Sequence, residues 1–195
     1  ACTLRAFVHP QLPARIFELT LKSDAPAQAY ILWHTTLILG ETDESRRYVR
    51  TGYDAAHGVI NACNPSAQRF APYHFVCTSY PRAQAYTCSE AAFRTGMLDG
   101  TCGAGLDPCA AMRIEPEQDN GVYHAWIVCG CASDAQQAGQ ITALCTPEAA
   151  AAAARQTKEY WRHMCMDLAI ETPDKRIDAI VNGFAAYQVL AGRLF

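Results

Sequence analysis

The stretch Val122-Tyr123-His124-Ala125-Trp126-Ile127-Val128-Cys129-Gly130-Cys131, followed at once by Ala132-Ser133-Asp134-Ala135-Gln136, decides the fold. Its first part is nearly all apolar and reads as a strand covered on both faces. Ser133 and Gln136 then occupy the N-cap and N3 positions of a capping box, and the text turns helical. Working back toward the N-terminus, Phe17, Leu19 and Leu21 alternate with Glu18, Thr20 and Lys22, the period of a half-buried strand. Residues 29–39 form a second continuous apolar run, again read as a strand covered on both faces. Residues 47–53, 58–63, 73–80 and 110–115 supply further strands between Pro, Gly, Asn and Asp breaks. So many strands with few helices between them predict an antiparallel β-sandwich over residues 1–131.

Forward from Ser133, the first helix is expected to run to about Cys145. Thr146-Pro147-Glu148 starts a second, with Thr as N-cap, Pro at the first helical position and Glu at the positive end of the dipole. It should reach about Leu168 and bury Trp161, Met164, Cys165 and Leu168, so that residues 132–171 form a helical linker. Thr172-Pro173-Asp174 repeats the start signal for a third helix over residues 172–195. Its apolar positions Ile177, Ile180, Val181, Phe184, Tyr187, Ala191 and Leu194 keep a helical rhythm to the last residue. That rhythm predicts further protein to pack against, and both ends of the chain read as cut.

The 195 residues suffice for a real core, since a chain of this size buries roughly 70% of its unfolded surface. Half are hydrophobic and 18% charged, which excludes disorder as the main state. A net charge of -3 and no basic cluster beyond Arg46-Arg47 argue against nucleic acid or an anionic membrane as partner. No apolar stretch approaches the roughly 20 residues of a membrane span. Ten cysteines stand mostly in apolar contexts without a Cys-x-x-Cys, and Asn64 is followed by Pro65, which removes the one sequon. Reduced thiols and a cytoplasmic setting follow; the alternative is a secreted, disulfide-bonded module.

Chemistry is sparse. The histidines at 9, 34, 57, 74, 124 and 163 show no HxxxH, so no metal site is predicted, and His163-Met164-Cys165 reads as packing. No cysteine has an activating neighbour assignable from spacing. No GxGxxG, GxxxxGK or GxSxG occurs, so no cofactor is expected. Asp43, Glu44, Asp54, Asp99, Asp107 and Asp119 read as turn formers, and Trp33 and Trp126 as core. Gly103-Ala104-Gly105-Leu106-Asp107-Pro108-Cys109 reads as a structural loop leading into a strand.

The order Asn64-Pro65, Tyr86-Thr87-Cys88 with Phe93, residues 103–109, then Glu171-Thr172-Pro173-Asp174 with Asn182 and Tyr187-Gln188 resembles the inverting glycoside phosphorylase family of cellobiose phosphorylase. The likeness is nearest to the phosphorylase-like region of cyclic β-1,2-glucan synthases and the β-1,2-oligoglucan phosphorylases, and covers about residues 58–195. It implies a sandwich of the supersandwich type, linker helices, and the first helix of an (α/α)6 barrel. It further implies a β-glucan oligosaccharide and the remainder of a parent chain as partners, inorganic phosphate as the parent's co-substrate, a homodimer, and a parent tethered at most to the inner membrane. The family's general-acid aspartate and phosphate-binding residues lie in the barrel, beyond this chain. No catalytic residue is therefore expected here. Tyr187, Gln188, Arg193 and Asp107 are the positions that the likeness places nearest to substrate.

Overall fold

The computed structural model describes residues 1–23, 28–67, 69, 73–166 and 170–185. The strands are β1 (Cys2–Val8), β2 (Ala14–Lys22), β3 (Ile31–Thr36), β4 (Arg50–Asp54), β5 (Val59–Cys63), β6 (His74–Tyr80), β7 (Ala85–Ser89), β8 (Pro108–Ile114), β9 (Glu117–Asp119) and β10 (Val122–Ala132). Helix α1 (Glu90–Arg94) lies between β7 and β8, and α2 (Ala135–Thr142), α3 (Pro147–Met166) and α4 (Lys175–Ala179) follow the last strand. The larger sheet runs β1-β2-β10-β6-β5-β4, with β9 also on β10, and the smaller runs β3-β8-β7. Every pairing is antiparallel.

Strand β10 is central because β2 and β6 flank it. Its side chains alternate between two clusters. Ala125 and Ile127 meet Ile60, Ala62 and Cys77 of the larger sheet and Ala110, Met112 and Ile114 of the smaller, so both sheets share one core. Trp126, Val128 and Ala132 face the other way, onto Ile141, Cys145, Ala150 and Ala153. The expected burial on both faces holds for β10, with Ile127 and Val128 fully buried.

It does not hold for β3. Ile31 is buried, but Leu32 is 63% exposed, because β3 is an edge strand of a sheet with one face toward water. The strand expected over residues 47–53 begins only at Arg50. Before it, Asp43–Tyr48 is a 3-10 helix whose acidic first turn and basic last turn suit the helix dipole. The cap of α2 sits one residue later than the capping box predicts. Asp134 accepts from the Gln137 amide at 2.7 Å, and the Gln137 side chain reaches past the cap to accept from the Ser133 amide at 2.8 Å, so the stronger acceptor takes the cap.

The Thr146-Pro147 start of α3 is observed, with the Ala149 amide donating to Thr146 Oγ1 at 3.2 Å. Trp161 and Met164 are exposed and not the buried stripe expected, since α3 packs through Ala150 and Ala153 instead. The Cys165 and Leu168 side chains lie outside the described residues.

By its contacts the chain forms two compact units, Ala1–Ala153 and Ala154–Phe195. In the second, Asp174 caps α4, accepting from the Arg176 amide at 3.0 Å, and a π-helical turn over Ile180–Ala185 follows. Ile177, Ile180 and Phe184 stand exposed.

Candidate functional site

Two of the four motifs that carry the family likeness, residues 86–93 and 103–109, meet at the segment 99–108, their hub, while Asn64 is engaged with the segment 39–45. Gly105 has φ +74°, a left-handed conformation that a glycine adopts without strain. Gly103 is tied to β4 by reciprocal bonds: the Thr51 amide donates to its carbonyl at 2.9 Å, and its own amide donates to Thr51 Oγ1 at 3.0 Å. The Cys88 amide donates to the Thr101 carbonyl at 2.7 Å, and the Glu90 amide to the Asp107 carbonyl at 2.8 Å. Thr87 Oγ1 donates to Asp99 at 3.0 Å. Tyr86 stacks on Tyr53 with ring centroids 3.7 Å apart. Asn64, only 1% exposed, donates to the carbonyls of Leu39 and Ser45 at 2.9 and 3.2 Å.

Asp107 pairs with Arg46 at 2.6 Å, joining this segment to the 3-10 helix. Tyr187, Gln188 and Arg193 lie outside the described residues. In the second unit, Thr172 donates through its amide and hydroxyl to Asp178, and Asn182 exchanges two bonds with the backbone of Ile170. Motif residues in both units are thus engaged in holding their own segments.

Beside the hub lies a cluster that spacing does not reveal. His34 on β3 places Nε2 2.6 Å from Glu90 Oε2, and Arg94 donates to Glu90 Oε1 at 3.1 Å. Phe93 stacks on the His34 ring with centroids 4.4 Å apart. Cys109, fully buried on β8, brings its sulfur within 4.8 Å of both donors. His34 and Glu90 are 56 positions apart, so only the β3-β8-β7 sheet unites them. The readable signal is local: Ser89 caps α1, accepting from the Ala92 amide at 3.3 Å, and sets Glu90 in the first turn.

This Cys-His-Glu group is not an activated nucleophile. Burial, and after it the Glu90 charge, push the Cys109 thiol up to about 12, the reverse of what thiolate catalysis requires. Burial also pushes the Glu90 carboxyl up, but bonds from His34 and Arg94 outweigh it and hold the group below the usual carboxylate range. Its stabilising contribution is therefore complete above the unfolded value of about 4.3 and lost as pH falls through the lower folded value. Thermal unfolding between about pH 3 and 6 should show Glu90→Gln less stable than the parent at the upper end, with the gap closing as pH drops below about 4. A gap independent of pH would contradict this.

A concavity of about 560 Å³ lies between Pro13, Leu39, Tyr73, Cys131, Ser133 and Gln137. Two of its polar members are engaged with each other, Ser133 Oγ donating to Gln137 Oε1 at 3.1 Å.

No protein-family profile matches the chain. The chain is 23% identical over 205 residues to the cyclic beta-(1,2)-glucan synthase NdvB of Rhizobium meliloti, an alignment covering 96% of this chain and 7% of that protein. Among solved structures, a bacterial glucoamylase complexed with acarbose superposes with a TM-score of 0.60 at 11% identity, over 86% of this chain and 25% of the other. The second likeness is one of fold. The chain spans a small part of each of these proteins.

Proposed function

We propose that the chain is the non-catalytic N-terminal β-sandwich and linker of a carbohydrate-active enzyme acting on β-linked glucans, of the glycoside phosphorylase or cyclic glucan synthase type. In this reading it supports an (α/α)6 barrel beginning near residue 172, lines the substrate entrance and contributes to a homodimer. The observation that carries it is the two antiparallel sheets giving way to helices, a fold that superposes on part of a glucoamylase, in a chain that aligns with part of a glucan synthase. Inverting phosphorolysis needs one carboxylic acid to protonate the glycosidic oxygen while phosphate attacks the opposite face of the sugar. Such an acid has a raised pKa. Among the described carboxyl groups with a distinct shift, Asp54, Glu90, Asp99, Asp174 and Asp178 move the other way, held ionised by hydrogen-bonding neighbours. The likenesses to a glucan synthase and to a glucoamylase fold support the enzyme class.

The test is expression of a chain that continues past Phe195. Release of glucose 1-phosphate, hydrolysis or glucosyl transfer on β-1,2-linked gluco-oligosaccharides is expected of the longer chain, and its failure to act on any β-linked glucan overturns the reading.

A cytoplasmic location belongs to the same proposal. Nine described cysteines, from Cys2 to Cys145, are free thiols, and no helix among the described residues is long and apolar enough to cross a membrane. Thiol titration of the denatured protein, isolated without reductant, should count ten free thiols. Five bridges would instead favour a secreted carbohydrate-binding or adhesion module.

A further inference from the structure

We propose that His34, Glu90 and Cys109 form a zinc-binding site that clamps β3, α1 and β8 together. The three donors come from separate elements, yet their ligand atoms lie within 4.8 Å of one another. A tetrahedral ion at about 2.0–2.3 Å from each ligand sets its donors about 3.3–3.6 Å apart, so side-chain shifts of about 1 Å complete the geometry. The separation of His34 Nε2 from Glu90 Oε2, 2.6 Å, widens as the metal replaces their hydrogen bond.

The donor set selects the metal. A thiol excludes Mg²⁺ and Ca²⁺, which take oxygen ligands, and a carboxylate beside an imidazole disfavours Cu(I). Nitrogen, oxygen and sulfur together suit Zn²⁺, with water as fourth ligand. Coordination ionises the Cys109 thiol outright, and the proton leaves to solvent. Access is from the His34 side, where the side chain is 26% exposed against 9% for Glu90. Phe93, stacked on the imidazole, fixes the ring plane. Arg94 donates to the other carboxylate oxygen, Oε1, at 3.1 Å and orients Glu90 from outside the ligand set.

The experiment titrates the reduced, chelator-treated 195-residue chain with Zn²⁺ against a chromophoric chelator, and with Co²⁺ for its spectrum. One tight equivalent is expected, together with a thiolate-to-cobalt charge-transfer band. Loss of an outer-shell partner already costs 10- to 100-fold in metal affinity, so His34→Gln and Cys109→Ala should each weaken binding by about 100-fold or more. Cys109→Ala should also abolish the band. The double variant Cys2→Ser/Cys102→Ser, at exposed thiols, should leave it unchanged. Zn²⁺ should raise the melting temperature of the parent but not of His34→Gln, whose partly exposed position keeps the test valid if Cys109→Ala unfolds. Absence of a tight equivalent, or tight binding that survives His34→Gln, overturns the site.

Discussion

Replacing Asn64 by alanine is expected to lower stability by about 3 kcal/mol, because two half-buried carbonyls and one amide lose a buried partner at about 1 kcal/mol or more each. The side chain is 1% exposed and closes three bonds: to the carbonyls of Leu39 and Ser45, and from the Ser66 amide at 3.1 Å. It also holds Leu39 at φ +44°, a conformation unfavourable for a branched residue without external support. For a chain of this length the melting temperature should drop by roughly 6–12 °C. Asn64→Asp should be no better at neutral pH. Its carboxylate still accepts from Ser66 but faces the Leu39 and Ser45 carbonyls with negative charge. Urea and thermal unfolding decide the matter, and a change below about 0.5 kcal/mol, the range of ordinary surface substitutions, would contradict the clamp.

Gly130→Ala should be nearly as damaging, at about 2–3 kcal/mol, through overlap instead of lost bonding. Gly130 sits on β10 opposite Ala14 and Val76. A methyl group there would collide with the Pro13 carbonyl oxygen and press on Ala14 Cα at 3.1 Å and Ile141 Cγ2 at 3.2 Å. Pro13 cannot retreat freely, since its carbonyl accepts from the Cys131 amide at 3.1 Å. The strain should fall on the contact between β10 and α2, where Ile141 is fully buried. Hydrogen exchange should show α2 amides losing protection before those of β5 and β6. Uniform loss across the sheet would mean that the collision is relieved elsewhere.

Strands with a clean apolar signature were legible: β10 through its continuous run, β2 through alternation, and α3 through Thr146-Pro147. Strand β1 carries no such signature, because it lies at a sheet edge with Leu4 and Val8 more than half exposed. Helix α1 is too short for a periodic pattern and is set by the Ser89 cap and its place between β7 and β8. The loop motif at 103–109 is legible as a turn leading into a strand, though its partners Thr51, Cys88 and Glu90 come only from the fold. The His34, Glu90 and Cys109 group was illegible for the same reason: sheet pairing joins residues that share no spacing. The apolar rhythm of Ile177, Ile180 and Phe184 was legible, but periodicity says which residues share a face and not what covers it, and all three are exposed.

The account rests on the claim that these residues build a scaffold and perform no chemistry on sugar. Its most direct measurement is phosphate-dependent release of glucose 1-phosphate from β-1,2-linked gluco-oligosaccharides by the purified 195-residue chain. No release above a protein-free control is predicted, since proton transfer from a positioned acid alone is worth about 10²–10⁴ in rate. Release of glucose 1-phosphate that disappears in Glu90→Gln or Asp99→Asn would contradict it.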